Sequence, residues 1–325
     1  MDAIGYHVLP AGLTNQKLAL LGLFLTARET GQPIVLPEMW LMDVARGKAG
    51  TAPIGEILDT EALRGVARSY GITVLDSGPR VSMHESWPYF GKGWQATIHH
   101  PVADVATATE GFIADFMRAL VPVGRSSFLV RHLLPAVYDR QGPVIAAHFR
   151  IEADWHHHSA KDLGPRLAGT EDYCIPYEQI LDKIKATLPG TRTIYVVCDE
   201  PTLLVPKQLM QEHAANQYGF ELIWKSDILT GFELRAFNPL DLSIIDFEIV
   251  SAAECFVGMS RSTFSNMVTF DRFCRTGRHV DNHYVYNLLG GALGRRTDDG
   301  RSPSPIVATQ TPLPPPIAPA DGTAA

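Results

Sequence analysis

A histidine and an arginine stand two positions apart at the end of an apolar run. Residues 144–155 read VIAAHFRIEADW, so small and apolar residues lead directly to His148 and Arg150. An arginine at the end of a strand can bind phosphate through two parallel N–H groups, which lysine cannot do. The alternative is a structural ion pair between Arg150 and Glu152 or Asp154. This stretch by itself does not separate a phosphate site from a structural pair.

Two further segments follow the pattern of strand, turn and helix. They are GLTNQ at 12–16 and CFVGMSRSTFSN at 255–266. We expect Thr14 or Asn15 to cap the first helix, and the second helix to begin near Thr263. The N–H groups and partial positive charge of a helix N-terminus suit a phosphate or a developing oxyanion. An ordinary helix cap is the alternative at both places.

The second of these segments also resembles a serine nucleophile elbow. GMSRS differs from G-x-S-x-G by one residue, with Ser260 as the nucleophile and Ser262 where the second glycine belongs. A hydrolase would also need an acid and a histidine, for which Asp271, His279 and His283 are available. We expect no further strands after this segment, whereas hydrolases of that fold place the serine within the sheet. The sequence therefore disfavours a serine hydrolase.

Other sequence motifs that would indicate a cofactor, a metal or a ligand are absent or ambiguous. No G-x-G-x-x-G or P-loop pattern occurs in the sequence, which disfavours nicotinamide cofactors and NTP hydrolysis. WHHHSA at 155–160 is interpreted as a solvated loop, because consecutive histidines point in different directions, and we predict no metal. Asp246 interrupts the apolar helix pattern LSIIDFEIV and needs partners there. It is either a surface aspartate on a frayed helix or a carboxylate that accepts N–H groups from a purine such as guanine.

The elements that must position these residues alternate between strand and helix. The first series has predicted strands at 4–9, 33–37 and 72–75 and helices at 15–31, 60–71, 108–120 and 126–138. The second series has strands at 144–150, 193–199, 221–225 and 255–259 and helices at 176–190, 203–219, 241–254 and 262–273. Apolar strands that alternate with helices predict parallel sheets covered on both faces. We therefore predict an α/β chain of two Rossmann-like domains, with ligands beyond the carboxyl ends of the strands.

The domain limits follow from the same pattern. The two series join at 139–143, which gives an N-terminal domain at 1–140 and a C-terminal domain at 141–295, facing a central cleft. The last residues, 296–325, are rich in proline and lack periodicity, so we predict a disordered tail.

Composition narrows the classes of partner. The chain has 325 residues, of which 46% are hydrophobic and 19% charged, and its net charge is −7. This balance argues against nucleic acid or an anionic membrane as the main partner. The N-terminus does not follow the signal-peptide pattern, and the apolar run at 18–27 is too short to span a bilayer, so we expect a soluble, cytoplasmic protein. The four cysteines form no C-x-x-C pair, so a zinc or redox motif is not supported.

Three segments together resemble the GDP-fucose protein O-fucosyltransferase family. HFRIEADW at 148–155 is similar to that family's H-L-R-I-x-x-D-W. GLTNQ, the helix after it and PIVLPEMW resemble its opening G-R-F-G-N-Q, helix, and strand that ends in tryptophan. DFEIVSAAECFVGMSRSTFSNMV at 246–268 is similar to its D-x-Y-I-L-x-x-A-D-x-F-I-G-x-x-x-S-S-F. The segments fall in the family's order and cover both predicted domains.

The resemblance implies a fold, a reaction and roles for residues. It implies the GT-B fold, with the donor held mainly by the second domain, and metal-independent, inverting transfer of fucose from GDP-fucose to a hydroxyl of a protein or glycan. As catalytic residues it implies Arg150, on the donor phosphate and the leaving GDP, and Asn15, facing the fucose. The implied donor-binding residues are Gly12, Leu13, Thr14, Asn15, His148, Arg150, Asp246, Ser262, Thr263 and Phe264. Asp154 and Trp155 match the pattern as acceptor or structural residues.

The sequence also departs from the family pattern. The family's Arg-Phe-Gly before the asparagine is Gly12-Leu13-Thr14 here, and a glutamate base that some relatives carry nearby is replaced by Pro10 and Ala11. The general base is therefore open. Two alternatives also stay open: a glycosyltransferase of the same fold with another nucleotide deoxy-sugar, such as rhamnose, and a non-catalytic protein that binds a sugar nucleotide or a glycan.

Overall fold

The fold consists of two sheets with helices between and around their strands. The computed structural model describes residues 2–41, 50–76, 81–98, 108–163, 171–276 and 282–296. The strands are β1 Ala3–Gly5, β2 Ile34–Val35, β3 Glu38–Trp40, β4 Thr51–Pro53, β5 Val74–Leu75, β6 Val81–Met83, β7 Val144–His148, β8 Thr193–Val197, β9 Glu221–Ile223, β10 Phe256–Gly258, β11 His283–Val285 and β12 Gly294–Arg295. The helices are α1 Leu13–Thr30, α2 Thr60–Ser69, α3 Ser86–Ile98, α4 Ala108–Ala119, α5 Gly124–Tyr138, α6 Ala153–His158, α7 Tyr177–Thr187, α8 Lys207–Tyr218, α9 Lys225–Ile228, α10 Gly231–Ala236, α11 Pro239–Ala252 and α12 Thr263–Thr276.

The first sheet comes from the N-terminal part of the chain. Its strand order is β5-β2-β1-β6, and each neighbouring pair is parallel. The chain enters α1 shortly after β1, and this helix ends at Gly31, whose φ of 68° is a left-handed conformation that glycine adopts at low cost. Strands β3 and β4 form a separate antiparallel pair beside this sheet.

The second sheet comes from the C-terminal part of the chain. Its order is β12-β11-β10-β7-β8-β9, with β7 near the centre. The strands are parallel except β12, which runs antiparallel to β11 at the edge. Strand β7 therefore has a neighbour on each side, and the residues after it emerge at the carboxyl edge of the sheet. The α/β prediction with two largely parallel sheets is confirmed.

Both faces of the second sheet are covered by helices, which explains why its strands are continuously apolar. Ala146 and Tyr195 belong to a core shared with α1 and α11, whereas Ile145 and Ile194 belong to a second core with α7 and α8. Both faces of a parallel sheet are covered, so every strand position needs an apolar or neutral side chain. The first core continues across both halves of the molecule, and α1 thereby packs against the C-terminal helices.

Several local predictions need correction. Strands β11 and β12 follow Ser260, although the sequence indicated none there, because both are too short to show a pattern. Helix α2 was predicted from residue 60 and begins there, and it is capped by Asp59, whose Oδ1 accepts the N–H groups of Glu61 and Ala62. The tail predicted from 296 lies outside the described residues from 297 onward.

The length and the apolar composition of a helix decide whether it can cross a bilayer. Among the described residues, no helix combines the length and the apolar composition that crossing a bilayer requires. Helix α1 has the required length, but polar and charged residues at both of its ends, Asn15, Gln16, Lys17, Arg28 and Glu29, lower its mean hydropathy.

Candidate functional site

The two distant strand–turn–helix segments meet in the fold. Thr14 lies in the first turn of α1 and Thr263 is the first residue of α12, and their Oγ1 atoms are 3.2 Å apart. The contact joins positions that are 249 residues apart in sequence. The structure therefore brings together the predicted residues of the first segment and those of the last.

The first segment supplies the N-terminus of α1. Gly12 precedes the helix in an extended conformation, and within the described chain no side chain caps it. Thr14 and Asn15 already lie inside the first turn, so the expectation that one of them caps the helix is wrong. Gln16 fastens the turn, since its Nε2 donates to the carbonyl of Ala11 (2.8 Å) and its Oε1 accepts the N–H of Trp40 (2.7 Å). Helix-terminal N–H groups are thus left for an anion or for solvent.

Asn15 is the polar side chain of this turn with unused hydrogen-bonding capacity. It is half-buried, and its Oδ1 has no hydrogen-bond partner among the described residues. A buried amide oxygen without a donor costs free energy, so it calls for a ligand or water.

His148 ends β7 and packs against α12. Its Nδ1 lies 3.0 Å from the hydroxyl of Ser265, and its ring lies 4.6 Å from that of Phe264, measured between centroids. Burial, with a smaller contribution from Arg150, holds the pKa of His148 well below its usual value. The imidazole is therefore neutral near pH 7 and acts as a hydrogen-bonding and packing group.

The start of α12 is held close to the end of β10. Ser265 accepts the N–H of Met259 at 3.1 Å, in addition to its contact with His148. A Cβ added to Gly258 would lie 2.6 Å from the Ser265 hydroxyl, so this position requires glycine. Phe264 and the buried Ser262 are fixed in the same turn.

Arg150 lies just beyond β7, at the carboxyl edge of the second sheet. Its Nη1 is 3.4 Å from Glu152 Oε1, and its Nη2 is 3.5 Å from Asp154 Oδ2. The ring of Trp155 covers one face of the guanidinium at 4.7 Å. The ion pairs considered from the sequence are therefore present, and they hold an arginine that is still 21% exposed. Its buried Nε has no acceptor among the residues described here, so part of the group is uncommitted.

Asp154 and Trp155 acquire physical roles from these contacts. Asp154 is exposed and its Oδ1 accepts the N–H of Trp155 at 2.7 Å. Trp155 is buried and its Nε1 donates to the carbonyl of Tyr173 at 2.8 Å. Trp155 is thus fixed at both ends and forms a rigid surface beneath Arg150.

The loop after β11 was not indicated by the sequence, and it braces the segments that follow β7 and β10. The hydroxyl of Tyr286 accepts the N–H of Arg150 at 3.0 Å, and Asn287 bonds to both the N–H and the hydroxyl of Ser260. The buried Lys183 holds the loop by donating to the carbonyl of Tyr286. The bonds of Tyr286 to Arg150 and to Lys183 span more than a hundred residues, so no local pattern could have indicated them.

Asp246 lies in the interior of the C-terminal part. It is buried, so the interpretation as a surface aspartate is wrong. Its Oδ2 accepts from Lys225 Nζ at 2.6 Å and its Oδ1 from the hydroxyl of Tyr195 at 2.8 Å. Burial lowers the pKa of Lys225, but attraction to Asp246 and Glu200 outweighs it and raises the pKa. Both oxygens of Asp246 are thus engaged, and its predicted contact with guanine stays a prediction.

The geometry does not favour the two alternative sites, a serine nucleophile at Ser260 and a metal site in WHHHSA. Ser260 is fully buried and hydrogen-bonded to Asn287, which is unlike the exposed serine of a nucleophile elbow. His156, His157 and His158 lie exposed on α6, so the segment predicted as a loop is helical. Within the described ranges, no group of three or more His, Cys, Asp or Glu side chains comes together as a metal site.

Comparison with known proteins places the chain in a family. The model of the GDP-fucose protein O-fucosyltransferase family matches residues 113–274, which include Arg150 and the start of α12. A curated relative, O-fucosyltransferase 23 of Arabidopsis thaliana, is 28% identical over 227 residues, which are 60% of this chain and 48% of that protein. The chain belongs to the O-fucosyltransferase family. It spans about half of the length of the curated relative it matches.

Solved structures show that this family member shares a known fold. The crystal structure of POFUT1 in complex with GDP has a TM-score of 0.55 at 17% identity, and the match covers 88% of this chain and 98% of that one. The crystal structure of POFUT1 in complex with GDP-fucose has a TM-score of 0.56 at 16% identity, with 87% and 97% covered. The similarity confirms the GT-B fold that the sequence resemblance implied.

Proposed function

We propose that this protein is a glycosyltransferase that binds GDP-fucose at the carboxyl edge of the second sheet and transfers fucose to a hydroxyl of a protein or glycan. The observation that carries the proposal is the guanidinium of Arg150, fixed beyond β7 by Trp155 and Glu152 yet with an uncommitted Nε. Family membership, and the complexes of the similar POFUT1 with GDP and with GDP-fucose, support the choice of donor.

The reaction breaks the bond between the sugar C1 and the diphosphate oxygen and forms a bond from C1 to the acceptor oxygen, whose proton passes to the leaving diphosphate or to solvent. Negative charge then develops on the leaving GDP, and Arg150 neutralises it by electrostatic stabilisation. The sugar passes through an oxocarbenium-like state, which needs little help from a base. Inversion at C1 and independence of metal are part of the proposal.

The other predicted residues take complementary roles in this proposal. The residues 1–140 supply the acceptor side, where Asn15 and the turn of Gly12, Leu13 and Thr14 face the fucose. Residues 141–295 supply the donor side. There the neutral His148 lies beside the nucleotide, Ser262, Thr263 and Phe264 line it, and Asp246 holds the guanine. The contact between Thr14 and Thr263 supports a donor site shared by both parts.

A second candidate is a glycosyltransferase of the same fold that uses another nucleotide deoxy-sugar, such as a rhamnose donor. The observation that favours it is the engagement of both Asp246 oxygens by Lys225 and Tyr195. Guanine recognition through Asp246 would require those bonds to be exchanged for bonds to the base.

Calorimetry against GDP-fucose, GDP-mannose, GDP and several UDP-sugars, each with and without a chelator, tests the donor. We expect the guanosine diphosphates to bind at least about tenfold more tightly than the UDP-sugars, which corresponds to one base-specific interaction of about 1.4 kcal/mol. Binding should be unchanged by the chelator. Binding only of uridine nucleotides, or only with metal, would overturn the proposal.

The same preparation should release GDP from GDP-fucose when a protein or glycan acceptor is added. Nuclear magnetic resonance of the product then reports the configuration at C1, which we expect to be inverted relative to the donor. Tight GDP-fucose binding without transfer to any protein or glycan acceptor would favour the non-catalytic relative.

A further inference from the structure

Glu152 is a buried carboxyl group that takes no part in the bond changes of the proposed reaction. Its side chain is completely buried, directly before α6, where its backbone forms an isolated bridge with Leu203. Its Oε1 accepts the N–H of Asp199 at 3.1 Å and lies 3.4 Å from Arg150 Nη1. Its Oε2 has no hydrogen-bond partner in the described part of the chain. Burial of a carboxyl group with one unpaired oxygen costs free energy, so we expect Glu152 to have a role that offsets this cost.

The contacts of Arg150 indicate a role for the buried Glu152. The guanidinium is confined on one face by Trp155, and its backbone N–H is tied to Tyr286. Asp154, the second carboxylate near it, is 60% exposed, so its attraction to Arg150 is screened by solvent. Glu152 is the fully buried partner, and the backbone N–H of Asp199 fixes its Oε1. Glu152 is thus the contact that fixes how the guanidinium is rotated about the terminal bonds of the Arg150 side chain.

We propose that Glu152 is a positioning residue that holds Arg150 in the orientation required by the diphosphate. The inference rests on the proposed function, because it assumes that Arg150 contacts a diphosphate. A free arginine side chain loses rotamer entropy when a ligand fixes it. Glu152 removes that loss in advance, while part of the Arg150 side chain stays exposed to a ligand.

Calorimetric titration of GDP into wild type, Glu152→Ala, Glu152→Gln, Arg150→Ala and the double variant Arg150→Ala/Glu152→Ala tests the proposal. We expect Glu152→Ala to weaken GDP binding about tenfold or more, as loss of a hydrogen bond to a charged group does. Glu152→Gln keeps an oxygen for both Asp199 and Arg150, so its affinity should stay within about threefold of wild type. In the Arg150→Ala background, Glu152→Ala should cause no further loss, because its partner is gone.

The control is Asp241→Ala, which removes another buried carboxylate, bonded to Ser126 in α5. It should lower stability and leave GDP affinity unchanged. If Glu152→Ala does not fold, Glu152→Asp replaces it, since a shorter carboxylate keeps the charge and loses the reach to Arg150. Equal GDP affinity of wild type and Glu152→Ala, or an equal loss in both backgrounds, would overturn the inference. Absence of GDP binding by wild type would instead overturn the proposed function.

Discussion

Asp271 is a carboxyl group buried where α1 meets the C-terminal helices. It is 1% exposed, and its Oδ2 lies 2.6 Å from Arg275 Nε. Lys17 of α1 is also buried, and its Nζ lies 3.8 Å from the centre of the Phe247 ring. Burial raises the pKa of Asp271 from 3.8 to about 6, although attraction to Arg275 and Lys17 opposes the shift. The native state therefore binds a proton that the unfolded chain has already lost at the same pH.

This shift predicts a dependence of stability on pH. Because the native pKa is above the unfolded one, the group lowers stability as pH rises from about 4 to about 6, and the loss is complete above that window. The size is about 3 kcal/mol for a shift of roughly two units. Asp271→Asn removes the titration. Urea unfolding of both proteins between pH 4 and pH 7 should show wild type losing about 3 kcal/mol relative to the variant. If the difference in unfolding free energy between wild type and Asp271→Asn does not change with pH, the raised pKa of Asp271 is contradicted.

Single residues also show how much of the site the sequence could predict. His148 and Arg150 were predicted at the end of a strand, and both lie there, since an apolar run that stops at charge marks a strand end. The ion pair with Glu152 was considered because the residues are neighbours in sequence. Tyr286, which holds the Arg150 backbone from 136 residues away, left no signal in the sequence because only the fold brings it near.

At the scale of elements, helices α1 and α3 cross in close contact at two glycines. A Cβ added to Gly22 would lie 1.9 Å from the carbonyl oxygen of Tyr89, and one added to Gly93 would lie 1.9 Å from that of Leu18. The two backbones touch, so neither position accepts a side chain. This crossing fixes α3 against the helix whose first turn carries Asn15.

Gly22→Ala and Gly93→Ala should each destabilise the protein by at least about 1–3 kcal/mol, because the added methyl group must separate the helices. Measured by urea unfolding, this loss is opposite in sign to the usual gain of up to about 1 kcal/mol for glycine to alanine in a helix. Gly91→Ala is the matched control, since it lies on α3 with nothing within 4 Å of its added Cβ. Stabilisation by all three substitutions would show that the helices do not cross here.

The long periodic elements were predictable, and the short or irregular ones were not. Helices α1 and α5 and strand β7 were predicted at nearly their observed positions, because their apolar patterns are continuous. Helix α3 was missed because Pro88, Gly91 and Gly93 lower its intrinsic helix propensity. Packing against α1 supplies the stability that the local sequence lacks.

At the scale of the whole molecule, α1 is the element that joins the two parts. Thr14 contacts Thr263 of α12, and Lys17 lies over Phe247 of α11. The sequence predicted two Rossmann-like units and a cleft, but it could not predict which side chains meet there, because such contacts depend on how the units pack. The limits of the domains, at 140 and 295, stay a prediction.

In the proposed function, Arg150 binds the diphosphate of a guanosine nucleotide. The most direct measurement is a calorimetric titration of GDP and of UDP into wild type and Arg150→Ala side by side, with the folded state of the variant checked by circular dichroism. We predict that wild type prefers GDP, and that Arg150→Ala loses about 10- to 100-fold or more in GDP affinity, as expected for a charged hydrogen-bonding partner. Equal GDP affinity in wild type and variant, or no preference of wild type for GDP over UDP, would contradict the account.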